Sequence, residues 1–345
     1  MGKNKIDKKT MDQFILENIG KHNIDIVKLT SLHFDISRQT VYRHIKNLIN
    51  EGYLTTTGEK RITSYILSKK THGLFFDLGT NIDEELIWRN SVKPLIPDLP
   101  ANIIDILHYG VAEMVNNVID HSGATELRII IEYDYNKIQI LVIDNGIGIF
   151  TKVQNDFNLA DKRHAILEIA KGKLTSDPSK HSGEGIFFTS RMFDVFIILS
   201  DDLIFSGHYN NDLLFDGDTP LKGTIVTMRI GRRVNRTMKE IFDRFTPDID
   251  SGKFGFTKTT IPVKIMQYEG ESLVSRSQAK RLITRFDQFQ EVVLDFEGVK
   301  IIGQPFADEV FRVFRNEHIQ THIYPINTNE DIDKMISHVT RDSKK

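Results

Sequence analysis

Glu113-Met-Val-Asn-Asn117, Asp144-Asn-Gly146-Ile-Gly148 and Gly183-Glu-Gly185 follow one another along a chain of 345 residues. Val111, Val115, Val118 and Ile119 recur around the first stretch at helical spacing, which predicts a helix. Glu113 and Asn117 are four residues apart and so project from one face of that helix. The second stretch follows Ile138-Gln-Ile-Leu-Val-Ile143, an apolar run that reads as a buried strand. An acid and an amide on a helix therefore accompany an Asp-Gly-Gly turn at a strand end, with a second glycine turn downstream.

In this order and spacing the three stretches resemble the GHKL ATPase family, which includes gyrase, histidine kinases and the mismatch-repair ATPases. The resemblance implies a domain over residues 101–232 that binds ATP and magnesium, built as an α/β sandwich with helices on one face of a mixed sheet. It makes Asn117 the magnesium ligand; one amide oxygen suffices because magnesium keeps several waters and takes phosphate oxygens. Asn116 becomes a neighbour of the site, and Glu113 a base for the attacking water. Asp144 would accept a hydrogen bond from the adenine amine, since an ionised carboxylate only accepts. Gly146 and Gly148 would let the backbone turn against the nucleotide. Residues 150–182 match the family's lid, with Lys171 and Lys173 as candidate phosphate contacts. Gly183 and Gly185 would form the second glycine box, where backbone N–H groups cradle phosphates, and Thr224 of Gly223-Thr224 would lie near adenine. Two family features are missing. No phospho-accepting His stands on a dimerising helix pair, His108 being structural within the Glu113 helix, and no transducer domain brings a catalytic lysine. Neither a sensor kinase nor strong hydrolysis is expected.

Upstream, residues 1–70 read as helix (10–20, closed by Gly20), short helix (Asp25–His33, with Ile26, Leu29 and Leu32 on one face), long helix (Arg38–Glu51, N-capped by Ser37) and hairpin. That order resembles a winged helix-turn-helix. In such folds the N-terminal face of the third helix enters the major groove of double-stranded DNA. Here it offers Arg38, Gln39, Thr40, Tyr42, Arg43 and Lys46; Arg and Gln suit guanine and adenine edges. Lys60 and Arg61 on the wing would reach phosphates. Residues 1–70 hold 13 Lys or Arg against 7 Asp or Glu, about +6, so a net −2 chain leaves about −8 for the rest. A basic end on an acidic body fits nucleic-acid binding. Residues 71–100 read as a connector with an extra strand or helix, broken by Pro94, Pro97 and Pro100.

Downstream, strand and helix alternate over 258–342, predicting a small α/β sheet. The expected order is strand Ile261–Met266, helix Ser275–Phe289, strand Glu291–Phe296, helix Pro305–Phe314, strand Thr321–Ile326 and helix Asp331–Val339. The stretch Val293-Leu-Asp-Phe-Glu-Gly-Val-Lys-Ile-Ile-Gly-Gln-Pro-Phe-Ala-Asp resembles the STAS domain of anti-anti-sigma factors, which implies a protein partner. The family's phosphorylatable Ser has no counterpart in the turn Gly303-Gln304-Pro305.

The chain has no cysteine, which removes disulfides and thiol chemistry and fits a reducing cytoplasm. No run of eighteen apolar residues predicts a membrane span, and the N-terminus is polar. The combined expectation is a cytoplasmic, dimeric, multidomain α/β regulator of three parts: winged helix-turn-helix, GHKL-like domain and STAS-like domain. Mg-ATP in the centre would gate the DNA-binding and STAS-like ends. The alternatives are a serine kinase resembling anti-sigma-factor kinases or a slow ATPase, and an interaction scaffold that never meets DNA.

Overall fold

The computed structural model describes residues 8–58, 64–79, 82–175, 182–207, 212–246, 256–267 and 271–341, with backbone alone over 212–220. Lys60 and Arg61 of the expected wing, and 176–181 of the expected lid, lie outside the described residues.

Three helices open the chain: α1 (Lys8–Asn18), α2 (Ile26–Phe34) and α3 (Arg38–Asn50). An antiparallel hairpin follows, β1 (Leu54–Thr57) and β2 (Ser64–Leu67), with Leu54 opposite Leu67. Ser37 adopts the extended N-cap conformation and its Oγ accepts the Thr40 N–H at 3.2 Å, a cap that contributes about 1 kcal/mol. Val41, Ile45 and Leu48 of α3 close a small core with Met11, Ile15, Leu16, Ile26 and Val27. The face of α2 is rotated from the expected one. Ile26, Val27 and Thr30 are buried, Leu29 is half-buried, and Leu32 is 72% exposed.

The central sheet begins with β3 (Lys70–Asp77), followed by the one-turn helix α4 (Glu84–Ile87) and the long α5 (Ala101–His121). Strands β4 (Glu126–Tyr133) and β5 (Lys137–Asp144) form a hairpin. Helices α6 (Ile149–Asp156), α7 (Lys162–Lys171) and α8 (Gly185–Met192) precede β6 (Val195–Gly207), β7 (Asp212–Gly231) and α9 (Met238–Phe245). The strand order is β3-β4-β5-β7-β6 and every neighbouring pair is antiparallel. The expected mixed sheet is thus corrected. Two of the four pairs are hairpins, which can only be antiparallel, and the helical excursions before β4 and after β5 return the chain in the reverse sense. The segment read as a connector supplies the edge strand β3, and its Ile87, Trp88 and Val92 join the central core.

Alternation decides which face is covered. Leu127, Ile129 and Ile131 on β4 and Ile138, Ile140 and Val142 on β5 are all buried. Period-two spacing puts them on one face, under the apolar stripe of α5 from Ile103 to Val118.

Beyond residue 256 the sheet is parallel. The elements are β8 (Lys258–Pro262), α10 (Arg276–Ile283), β9 (Glu291–Asp295), α11 (Gln304–Asp308), α12 (Phe314–Glu317), β10 (His322–Ile326) and α13 (Glu330–Arg341). The strand order is β10-β9-β8, as strand–helix alternation requires. The first strand sits earlier than expected; Val263–Met266 is a 3-10 turn. The helix expected through Phe289 ends at Ile283, and Arg285 takes a left-handed backbone at φ 65°. One buried apolar cluster runs through both the antiparallel and parallel sheets, whereas the three N-terminal helices have their own. Among the described residues no helix is long and apolar enough to cross a membrane.

Candidate functional site

The alternation of β5 continues past Val142 to Asp144, whose side chain therefore points to the same covered face. Asp144 is 6% exposed and pairs in register with Thr224 on β7. Its Oδ1 accepts the Gly146 N–H at 2.8 Å. Burial pushes its carboxyl above the usual carboxylate range, while hydrogen bonds from Gly146 and Thr224 oppose the rise. The Thr224 Oγ1 accepts the Ile149 N–H at 3.1 Å, tying the start of α6 to β7.

A cavity of about 310 Å³ opens beside this carboxylate, at the lower end of the range for small-molecule sites. Its lining brings together Glu113, Asn116 and Asn117 from α5, Asp144 from β5, Gly148, Gly183, Gly185 and Thr224. Two glycines are there for reasons of space and conformation. Gly148 has φ 85°, and a Cβ on it would stand 2.6 Å from the Ser200 Oγ. A Cβ on Gly185 would stand 1.9 Å from the Glu113 Oε2, so the acid packs directly against the start of α8.

Three expected contacts are placed elsewhere. Gly146 does not line the cavity; its Cα faces the Ser122 carbonyl at the end of α5. Lys173 is also absent from the lining. Its Nζ donates to the Gln288 carbonyl at 2.9 Å and lies 5.0 Å from the Phe289 ring centroid. Lys171 is fully buried, donating to Glu168 at 2.5 Å and to the Thr284 carbonyl at 2.9 Å. Both lysines are directed into the parallel-sheet unit, which holds residues 171–173 through Thr259, Thr284, Arg285 and Gln288 before the chain reaches the cavity wall at Leu174.

Several lining residues carried no signal of their own in the sequence. His121 lines the cavity one helical step beyond Asn117, so the spacing Glu113, Asn117, His121 could have revealed it. Lys152 and Asp156, also in the lining, are paired at 2.7 Å along α6. Tyr109, one turn before Glu113, is hydrogen-bonded to it. Burial and then the charges of Glu113 and Glu184 push its phenol upward, keeping it a protonated donor. Chemically the cavity offers an acceptor-only carboxylate deep inside, an acid and amides along one helix face, and glycine turns that bare backbone. No group of three or more His, Cys, Asp or Glu that could hold a metal by itself occurs among the described residues. A hard cation here would need oxygens from a ligand and from water.

On α3, Arg38, Gln39, Tyr42, Arg43 and Lys46 are exposed while Val41, Ile45 and Leu48 are buried, and Thr40 is half-buried. The Thr40 Oγ1 accepts from Arg43 at 3.4 Å. The N-terminal helices meet the central sheet at the β4–β5 turn, where Asn136 donates to the Leu16 carbonyl at 2.9 Å. His108 is engaged with Glu85 at 2.7 Å and stacked on Trp88.

Residues 278–333 match a family described as a STAS-like domain of unknown function (DUF4325), a span from α10 into α13. The chain matches no curated protein.

Proposed function

We propose that the cavity binds Mg-ATP in a GHKL-like central domain, and that its occupancy regulates a DNA-binding N-terminal winged helix and the STAS-like C-terminal unit. The observation that carries this reading is the convergence of Glu113, Asn117, Asp144, Gly148, Gly183, Gly185 and Thr224, from separate stretches of chain, on one cavity. A buried carboxylate suits an exocyclic amine, which donates where the carboxylate can only accept. Among the described lining residues the acids Glu113, Asp144 and Asp156 outnumber the single lysine, Lys152. A triphosphate would be repelled there without a divalent cation, and Asn117 with Glu113 supplies oxygens to help hold one. The cation would offset phosphate charge; Glu113, steadied by Tyr109, would orient water beside it.

The DNA arm of the proposal is supported by the exposed face Arg38, Gln39, Tyr42, Arg43 and Lys46 on an N-capped helix. Nucleotide can regulate it only by favouring one arrangement of the units over another; tight binding alone shifts nothing. The presence of Glu113 at the cavity also favours a second reading, a slow ATPase or a serine kinase acting on a separate protein.

The test is binding of the chain to its own upstream DNA across salt concentrations, with and without Mg-ATP. The expected result is a steep salt slope and an ATP-dependent shift that Asp144→Ala removes. DNA binding indifferent to ATP would refute the coupling. Transfer of labelled phosphate to protein would favour the kinase.

A further inference from the structure

The chain leaving α7 is held by the STAS-like unit. Arg285 donates through Nη1 to the Glu168 Oε2 at 2.8 Å and through Nη2 to the Gly172 carbonyl at 2.9 Å, and also to the Lys173 carbonyl. Glu168 is 1% exposed and Arg285 15% on their side chains. Around this grip, Thr259 on β8 donates to the Lys171 carbonyl at 2.8 Å, and Lys171 and Lys173 donate back to the carbonyls of Thr284 and Gln288. Arg285 and Lys173 both sit at positive φ, 65° and 54°, a conformation unfavourable for a non-glycine residue that persists only where surroundings over-determine it.

The next residues are part of the cavity wall. Leu174 and Thr175 line it, and the Leu174 N–H donates to the carbonyl of Gly183, another lining residue, at 3.0 Å. Thus one guanidinium from within the matched 278–333 segment fixes two carbonyls directly before two wall residues.

We propose that Arg285 is a positioning residue for the cavity: by gripping the Gly172 and Lys173 carbonyls it sets the wall at Leu174 and Thr175, so that ligand occupancy and placement of the STAS-like unit are one equilibrium. The inference rests on the nucleotide reading of the cavity. A planar five-donor fork can meet a carboxylate and two carbonyls together; a lysine ammonium at the same site cannot span them. Preorganisation of the wall favours binding, and linkage makes the effect reciprocal.

The experiment uses the full chain with magnesium and β,γ-imido-ATP as the probe. Binding is titrated for wild type and Arg285→Lys, which keeps a cation beside Glu168. Hydrogen exchange of amides 284–290 is followed with and without the probe. The expected result is at least fivefold weaker binding by Arg285→Lys, and slower exchange at 284–290 when wild type is saturated, an effect absent in the variant. Equal or tighter binding by Arg285→Lys overturns the inference alone, as does unchanged exchange at 284–290 in saturated wild type, which needs no variant to fold. No binding by wild type overturns the nucleotide reading and this inference with it.

Discussion

Replacing Gly172 by alanine tests the junction between the cavity wall and the parallel-sheet unit. Gly172 follows α7 at φ 80°, ψ −178°, a region that is essentially glycine-only and costs another residue about 1–3 kcal/mol. A Cβ there would stand 2.7 Å from the Phe256 Cε1 and 3.1 Å from the Phe187 Cγ. Neither ring has room to yield. Both are nearly fully buried, their centroids are 4.4 Å apart, and Phe188, Phe245 and Phe289 surround them. Overpacking of this kind adds about 1–3 kcal/mol. The two effects together give roughly 2–6 kcal/mol, a fall in Tm of about 3–8 °C for a chain of this size. The single tryptophan, Trp88, is 3% exposed in the same apolar cluster, so its fluorescence during thermal or urea unfolding reports the loss. Gly73→Ala is the control. Nothing lies within 4 Å of its Cβ position, and its expected change is within about 1 kcal/mol. If Gly172→Ala melted within about 2 °C of wild type, the close packing argued for this junction would be wrong.

Asp144→Asn should weaken Mg-ATP analogue binding by roughly 10–100-fold, the worth of a hydrogen bond to a charged group; undiminished affinity in a titration would remove Asp144 from the site. Because its carboxyl is raised, wild-type affinity should fall on acidification with a midpoint above the usual carboxylate range, and Asp144→Asn should lose that dependence. Burial alone would raise Glu168, but Lys171, His164 and Arg285 draw it below its ordinary 4.5 to about 2. Its contribution to stability is therefore complete above about 4.5 and lost as pH falls toward about 2; Glu168→Ala, leaving buried cations unpaired, should cost about 3–5 kcal/mol at neutral pH. A urea series showing a smaller loss, or the same acid sensitivity in the variant, would count against that account. Arg43→Ala should weaken DNA binding across sequences or relax one base position, according to whether it meets phosphate or base; if it meets phosphate, the salt slope falls by about 1. An unchanged isotherm would take α3 out of the interface.

Local periodicity made much of the fold legible. Val41, Ile45 and Leu48 announced α3, Ser37 its start, and the apolar run Ile138–Ile143 the buried strand that ends at Asp144. What was not legible depends on neighbours remote in sequence. Leu32 looked like a core residue by spacing, yet α1 and α3 cover the adjacent stripe of α2 and leave it exposed. Nothing local in residues 70–77 distinguishes a connector from an edge strand until β4 is beside it to pair. Lys171 and Lys173 looked like phosphate contacts because residues 150–182 resemble the lid of the GHKL family. Apart from Glu168, one turn before Lys171, their partners lie more than a hundred residues away, at Thr284, Arg281 and Gln288, contacts no local pattern encodes. The same remoteness hides Arg285, which falls within the helix expected from Ser275 to Phe289 and carries no local sign of its partners Glu168 and Gly172.

The shared core has a consequence for regulation. The N-terminal helices keep a core of their own and touch the central sheet at a turn, through contacts such as Asn136 to Leu16 and the Arg233–Glu17 pair at 3.6 Å. The exposed Arg233–Glu17 pair contributes about 1 kcal/mol or less, and the apolar contact is carried by Tyr135, which packs against the N-terminal core and edge-on to Tyr53; this is a smaller junction than the C-terminal one. The C-terminal unit instead shares buried aromatic rings and a buried ion cluster with α7 and α8. Interfaces packed to interior density switch between discrete arrangements and do not deform continuously. Motion that exposes this junction would sacrifice several buried side chains, each worth about 1.5–3 kcal/mol, far more than a coupling energy of about 1–3 kcal/mol can supply. On the proposed coupling, the C-terminal unit would act on the cavity through small shifts at Arg285, and the larger change of position would fall to the N-terminal helices, whose core is separate.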